Sequence, residues 1–321
     1  MQSAPSIVLI KTSSLGDVLH NLPVVSDICR HLPGARIDWV VEESFASLPA
    51  LHPEVKQIIA VAIRRWRKSF WQARGKIRAV CDQLRASHYD IALDTQGLLK
   101  SALITRCIPA TRCGFDRTSA REPIACLFYD RTYFVSKSQH AVERNRQLAG
   151  QALGYTPQGE PDYGIHAPAL DLPWLPPEPY AVLLHATSRD EKLWAEESWI
   201  ALGKRLNQAG MHLVVPWGNA VEQSRSERLC AALPGAICPS GTGLNEAAAV
   251  LGRASAVIGV DTGLTHLAAA FGIPTVGIYT ATDPSLTGLH AGKNAINLGG
   301  KQQPPDVEGV IVALRQAGLH D

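Results

Sequence analysis

Four short stretches of this 321-residue chain combine residue types that can do chemistry. The first, Lys11-Thr12-Ser13-Ser14-Leu15-Gly16-Asp17, joins an apolar run to an amphipathic one. It offers hydroxyls, one glycine for a tight turn, and a carboxylate where a helix begins. An aspartate there is ordinarily only an N-cap, but at the carboxyl end of a strand it is also placed to act on a ligand. The loop is neither GxGxxG nor GxxxxGKS/T, so dinucleotide binding and P-loop phosphoryl transfer lose support. The second stretch, Arg64-Arg65-Trp66-Arg67-Lys68, continues to Arg74, Lys76 and Arg78. It holds seven basic residues in 15, with Trp66, Phe70 and Trp71 interleaved and no acid from Val55 to Cys81. A charge run is usually a solvated face. Basic residues among aromatics also suit a phosphorylated or carboxylated ligand at a membrane surface, or single-stranded nucleic acid.

The third stretch is His185-Ala186-Thr187-Ser188-Arg189-Asp190-Glu191-Lys192, where hydroxyls and Lys192 can hold a diphosphate or simply make a polar loop. The fourth is Asp261-Thr262-Gly263-Leu264-Thr265-His266. A helix N-terminus there would supply free N–H groups and a positive dipole, and Gly263 would admit a phosphate closely. The bland alternative is an Asp N-cap, and His266 alone is more simply a packed helix residue. The 11 histidines are scattered, and neither DxD nor HExxH occurs, so no metal site is expected.

Something must hold these loops in place, and the hydrophobic pattern says what. In the first half, strands are predicted at 6–12, 35–43, 55–63, 89–96 and 111–116, alternating with helices at 17–32, 75–87, 98–108 and 140–153. In the second half, strands at 180–187, 212–218, 235–240, 256–261, 274–280 and 295–299 alternate with helices at 196–209, 222–232, 244–253, 263–271 and 305–319. Such alternation indicates βαβ units and parallel sheets, whose ligands sit at the carboxyl ends of strands. Between the halves, residues 156–180 hold seven prolines and form a linker. Domains are accordingly expected at 1–165 and 166–321, with the last helix able to pack back on the first.

Composition narrows the class. Apolar residues make up 46% and charged residues 19%, ample for packed cores. A net charge of +2 argues against a general nucleic-acid binder. Arginine outnumbers lysine 21 to 10, which favours acidic ligands. Seven cysteines, an odd number without a CxxC, suggest free thiols in a reducing compartment. The N-terminus resembles a first strand more than a signal peptide. The stretch 262–282 lacks Asp, Glu, Lys and Arg, yet its Gly272 and Pro274 break it into a helix and a strand, not a membrane span. A soluble cytoplasmic protein is expected.

Taken together, KTSSLGDVLH (11–20), AIRRWRKSFW (62–71), DTQGLLKSA (94–102), REP (121–123), HAVER (140–144), HATSRDEKLW (185–194), PWG (216–218) and VDTGLTHLAAA (260–270) resemble the ADP-heptose:lipopolysaccharide heptosyltransferase family. The resemblance runs from roughly residue 6 to 300 with motifs in order. It implies a GT-B fold, two Rossmann-like doubly wound α/β domains facing across a cleft. The first domain would bind the acceptor and the second the nucleotide sugar. It also implies an inverting transfer of L-glycero-D-manno-heptose from its ADP donor to a Kdo (3-deoxy-octulosonic acid) residue of Kdo-lipid A, in lipopolysaccharide inner-core synthesis. The enzyme would be peripheral on the cytoplasmic face of the inner membrane. By the same resemblance Asp17 is the general base. Thr187, Ser188, Lys192, Glu222, Thr242, Asp261, Thr262, Gly263, Leu264 and His266 bind the donor. Ser14, Gly16, Arg64, Arg65, Arg67, Lys68, Gln96, Arg121, His140 and Arg144 meet the acceptor. At Thr242 the sequence departs from its relatives, which carry a larger Met there. No cofactor or metal, no nucleic-acid partner and a monomer are expected. Competing readings are a later-acting heptosyltransferase, a nucleotide-sugar epimerase, and a non-catalytic lipid-surface module.

Overall fold

The computed structural model describes residues 4–241 and 243–319, with Phe70 by its backbone alone. The chain divides into two compact units, Met1–Gly164 and Ile165–Asp321. In the first, the order is β1 (Ser6–Ile10), α1 (Leu15–Leu19), α2 (Leu22–His31), β2 (Arg36–Glu42), β3 (Val55–Val61), α3 (Ile63–Lys68), α4 (Phe70–Ala86), β4 (Ile91–Asp94), α5 (Leu99–Thr105), β5 (Thr111–Phe115), β6 (Arg131–Tyr133) and α6 (Ala141–Leu153). All six strands are parallel, in the order β3-β2-β1-β4-β5-β6. Ile7, Val8, Leu9 and Ile10 of β1 are fully buried, as a central strand covered on both faces requires.

The second unit runs β7 (Tyr180–Leu184), α7 (Glu196–Gln208), β8 (His212–Val214), α8 (Ala220–Ala232), α9 (Leu244–Gly252), β9 (Ala256–Val260), α10 (Gly263–Ala270), β10 (Thr275–Tyr279), β11 (Ala295–Gly299) and α11 (Val307–Gln316). Its five parallel strands are ordered β11-β10-β9-β7-β8. Trp199, Leu202 and Leu206 of α7 are buried on one face, as their spacing predicts. The last helix packs on α7, β10 and β11 of its own unit. At Gly259, in β9, an added Cβ would lie 2.1 Å from Thr265 Oγ1, so only glycine lets α10 close onto its strand.

Local chemistry explains where the pattern misleads. The helix expected at 17–32 is broken, because Pro23 is the second residue of α2 and Asn21 is its N-cap. The basic run forms its own helix, α3, and α4 starts five residues before the expected 75. In both, charge masks the apolar period. The strand expected at 235–240 reduces to one bridge, Val214 to Ile237, since Pro239 has no N–H to offer a ladder. Three-residue β6 is a short edge strand with no periodic signal. The expectation of free thiols also needs correction, because Cys81 and Cys107 are disulfide-bonded, with Cα atoms 5.1 Å apart. Helix α4 and the turn after α5 pack on one apolar cluster with Val61, Leu84 and Ile108, which brings these two cysteines together. No sequence spacing reveals that.

One polar clamp ties the first unit's periphery. Arg146 of α6 and Asp27 of α2 are each only 2% exposed at the side chain and bond through two contacts, Nε–Oδ2 at 2.7 Å and Nη2–Oδ1 at 3.2 Å. Arg146 also donates to the carbonyls of Gln158 (3.2 Å) and Gly159 (3.0 Å), fastening the chain that leaves α6. Gly154, with φ of 82°, turns the chain out of that helix. Replacing Arg146 by Leu leaves a buried carboxylate with only a long 3.9 Å contact to half-exposed Arg30, and chemical denaturation should show a loss of about 3–5 kcal/mol. Adding Asp27→Leu should recover much of it. A double variant as unstable as the single one would mean that the carbonyl contacts, not the ion pair, do the holding.

Candidate functional site

Parallel strand order reverses once in each sheet, between β1 and β4 and between β7 and β9. At such a point successive crossovers go to opposite faces, and the loops at the strand ends part to leave a crevice. The conspicuous loops of the sequence are the ones found there.

In the first unit, the loop after β1 is held by the loop after β4. Gln96 Oε1 accepts from the N–H groups of Thr12 (2.7 Å) and Ser13 (3.2 Å), and its amide donates to the Ser13 carbonyl. Asp94 steadies that second loop, accepting from the N–H groups of Gln96 (2.8 Å) and Gly97 (3.2 Å) and from the Tyr129 hydroxyl (2.7 Å). Burial raises the carboxyl of Asp94 and, likewise, the phenol of Tyr129 above their ordinary values. Asp17, in the first turn of α1, accepts from the Ser14 N–H at 3.0 Å. Arg121 grips it through two bonds, Nη2–Oδ1 at 2.6 Å and Nη1–Oδ2 at 3.2 Å. Ser14 is the N-cap of α1, and Asp17, the third helical residue, closes a capping box onto the Ser14 N–H and is at the same time a charged group facing other charges.

Cations surround it. Lys11 is buried and donates to the Thr95 carbonyl (2.8 Å) and Asn145 Oδ1 (3.2 Å). Burial lowers its ammonium to about 8 against the opposing pull of Asp17. For Asp17 burial is the largest influence and acts upward. The charges of Lys11 and Arg121, with the bonds from Arg121 and Ser14, outweigh it and hold the carboxyl below its ordinary value. Asp17 is therefore ionised at neutral pH. Lys100 donates to Ser13 Oγ at 2.7 Å, and burial lowers its ammonium too. Arg144 of α6 donates to the Ser119 carbonyl (2.6 Å) and lies 5.0 Å from the Phe115 ring centroid. His140, the N-cap of α6, accepts from the Val142 N–H at 3.2 Å through Nδ1.

In the second unit the loops after β7 and β9 join through Asp261. Its Oδ2 accepts from Lys192 Nζ (2.5 Å) and Thr282 Oγ1 (2.9 Å), and its carbonyl from Thr187 Oγ1 (3.0 Å). Thr262 is the N-cap of α10, and Gly263 and Leu264 open that helix. His266 Nε2 lies 4.0 Å from Asp261 Oδ1; it is buried, and burial drives its imidazolium form well below the ordinary range. Ser188 stands exposed on the same loop. Glu222, in the first turn of α8, accepts from the Gly218 N–H and from Asn219 Nδ2, both at 2.7 Å. Thr242 lies outside the described residues. Beside it an added Cβ at Gly241 would sit 3.3 Å from the Trp217 ring, so backbone and indole lie face to face.

The structure thus brings Ser14, Asp17, Gln96, Arg121 and Arg144 to one strand-end crevice, and Thr187, Lys192, Asp261, Thr262 and His266 to the other. Gly16 lies within α1, between Ser14 and Asp17. Arg64, Arg65, Arg67 and Lys68 line up on α3, whose first N–H groups, from Ile63 and Arg64, are capped by the buried carboxylate of Glu42 (3.1 and 3.2 Å). Arg65 turns to Glu43 at 2.9 Å. The charges of Asp17, Arg64 and Arg67 all act on Lys100, which therefore links α3 to the crevice. Sequence reasoning gave no site role to Lys11 and Lys100, although both stand in stretches it singled out, and passed over Asn145 and Thr282. A lysine directly after the apolar run Ile7–Ile10, as Lys11 is, was the one available signal. Among the described residues no group of three His, Cys, Asp or Glu is placed to hold a metal ion.

The family model for glycosyltransferase family 9 (heptosyltransferase) matches residues 77–311. The chain is 47% identical over 298 residues to lipopolysaccharide heptosyltransferase 1 of Pseudomonas aeruginosa, covering 91% of this chain and 83% of that protein. It superposes on Escherichia coli heptosyltransferase WaaC with ADP at a TM-score of 0.90 and 40% identity, covering 98% and 100% of the two chains. Against the same enzyme with ADP-2-deoxy-2-fluoro heptose the TM-score is 0.86 at 40% identity, covering 97% and 99%.

Buried neutral imidazoles make a pH signature. His185, fully buried with Nε2 at 2.7 Å from Ser226 Oγ, is pushed by burial from 6.5 to about 4. Between those values the unfolded chain binds a proton that the folded chain refuses. Stability is therefore complete above pH 6.5 and falls as pH drops toward 4, by at most about 1.4 kcal/mol per pH unit for this residue. His266 acts in the same direction. Urea melts across this range should show the decline, and His185→Gln should flatten it by about one proton. An unchanged slope would mean that the imidazole is protonated in the folded state.

Proposed function

The chain belongs to glycosyltransferase family 9, the heptosyltransferases, and we propose that it transfers L-glycero-D-manno-heptose from ADP-heptose to a Kdo residue of Kdo-lipid A with inversion. Its activity is that of a glycosyltransferase, with heptose as the group moved and lipopolysaccharide synthesis as the context. The acceptor and the residue roles are our reading, and one observation carries it. An ionised carboxylate, Asp17, stands at a strand-end crevice among Lys11, Lys100, Arg121 and Arg144. A site of that charge suits an acceptor bearing carboxylates.

In this reading Asp17 takes the proton of the acceptor hydroxyl as its oxygen attacks the anomeric carbon. Arg121 holds the carboxylate in place and keeps it ionised. An incoming acceptor carboxylate competes for the same guanidinium, and release of Arg121 makes Asp17 a stronger base when substrate is present. On the donor side, Thr187, Ser188 and Lys192 with the N–H groups at Thr262, Gly263 and Leu264 meet the charge that grows on the departing diphosphate. Asp261 and His266 border the sugar, and Glu222 borders the nucleoside. With Lys192 and a helix N-terminus supplying positive charge, the reading gives no metal a role. The α3 cations Arg64, Arg67 and Lys68 would draw the chain to an anionic lipid surface at about 1 kcal/mol each. No helix among the described residues is long and apolar enough to cross a membrane.

Asp17→Asn keeps the shape, and its amide oxygen can still accept from the Ser14 N–H as the carboxylate does in the capping box. With ADP-heptose and Kdo-lipid A, product mass and rate should show turnover reduced by ~10²–10⁴-fold. ADP affinity and thermal stability should stay close to wild type. Near-normal turnover would reduce Asp17 to a cap and turn attention to Asp261.

A further inference from the structure

An apolar groove of about 550 Å³ opens on the first unit between α3, α4 and α5. Val61, Ile63, Trp66, Ile77, Val80 and Leu103 line it. This volume lies within the range of small-molecule sites. Its rim is charged on one side, where Arg67 and Lys100 border it. Among the described residues neither cation is paired with a carboxylate at contact distance, although the charges of Glu42 and Asp17 act on Lys100, which reaches the crevice through its bond to Ser13 Oγ at 2.7 Å. Glu122, also on the rim, is engaged by the Leu99 N–H at 2.6 Å, and its neighbour Arg121 grips Asp17. One end of the groove therefore runs into the proposed acceptor site.

Two further features specify the ligand. Trp66 Nε1 is buried and finds no hydrogen-bond partner among the described residues, so an apolar guest with a carbonyl near its head would satisfy it. Among the exposed basic residues of α3 and α4 and beside α5, several large apolar side chains also face outward. Leu103 and, on α4, Trp71 are exposed, as are Ile124 and Leu127 on the short helix packed against α5. An apolar slot ending in cations fits an anionic amphiphile, with the chain within and the head at Arg67 and Lys100. An acidic peptide would match the rim but leave the slot unused.

We propose that this groove seats an acyl chain of the enzyme's anionic lipid acceptor and so orients the acceptor's saccharide toward Asp17. The proposal rests on the lipid acceptor assigned above, so its test needs one arm that does not depend on transfer. In that arm, 11-bromoundecyl phosphate is titrated into the protein below its micelle concentration while tryptophan emission is read. Bromine quenches an indole only at close range. Saturable quenching is expected, and most of it should vanish in Trp66→Phe. In a series of unbrominated alkyl phosphates, each added methylene should tighten binding by about fourfold until the groove is full. Leu103→Asp, at an exposed position, should weaken binding at least ~10-fold by setting a charge in the slot. Quenching unchanged in Trp66→Phe, or affinity independent of chain length, would overturn the groove and leave only a head-group site.

The second arm compares Kdo-lipid A with the same saccharide stripped of acyl chains. The acylated acceptor should show the lower KM, and Leu103→Asp should erase that difference without changing the KM for ADP-heptose. Equal KM values in the wild type would also refute the proposal. Quenching as expected with no transfer to either acceptor would uphold the groove and sink the acceptor assignment instead.

Discussion

The reversal of strand order in each sheet is the constraint from which the rest follows. Right-handed crossovers carry the chain to one face of the sheet on one side of the reversal and to the other face beyond it. Two loops are thereby left parted at the strand ends, with backbone N–H and C=O groups that need partners. Each unit answers with one side chain. Gln96 satisfies the loop after β1 from the loop after β4, and Asp261 gathers the loops after β7 and β9 through Lys192, Thr187 and Thr282. The residues that hold the crevices open in shape are thus the ones that line them. Little further ordering is left for a ligand to impose.

Behind the first crevice lies a buried polar layer that most sheets avoid. Lys11, Thr95, Gln96, Asp94, Tyr129 and Asn145 bond to one another or to the loops in front, in an interior where an unpaired group is costly. Arg146 with Asp27 repeats the device farther out. This layer sets the electrostatics at Asp17 without touching it, since Lys11 acts through its charge alone. A change at Lys11 would therefore act on the aspartate through charge, while also removing the bonds to Thr95 and Asn145 that order the layer.

Much of this was legible in the residues. Alternating apolar runs gave the parallel α/β architecture, and the loops KTSSLGD and DTGLTH announced themselves by type and position. What stayed hidden depends on contacts between distant segments. The Cys81–Cys107 pairing and the link from Lys100 to Ser13 join residues 26 and 87 positions apart, beyond any periodic signal. Arg121 shows the same limit. Its residue type suggested an anion, but only the fold reveals that the anion it holds is Asp17, 104 residues earlier. Short edges failed for another reason, because three-residue β6 and the proline-stopped run at 235–240 have too few positions to show alternation.

The basic segment has an electrostatic effect of its own. Seven positive charges lie between residues 64 and 78 while the whole chain sums to +2, so all the other residues together carry a net −5. The molecule is electrically lopsided, nearly neutral by titration yet strongly polar in space. In the field of a negative surface such a body feels a torque as well as a pull, because one end is attracted while the remainder is repelled. Such a body would be turned before contact, and the angular search that slows the docking of a uniformly charged sphere would be shortened. At 0.1 M salt this steering would be screened beyond about one Debye length, roughly 10 Å from the surface, while the buried pairs that hold the fold would be little affected.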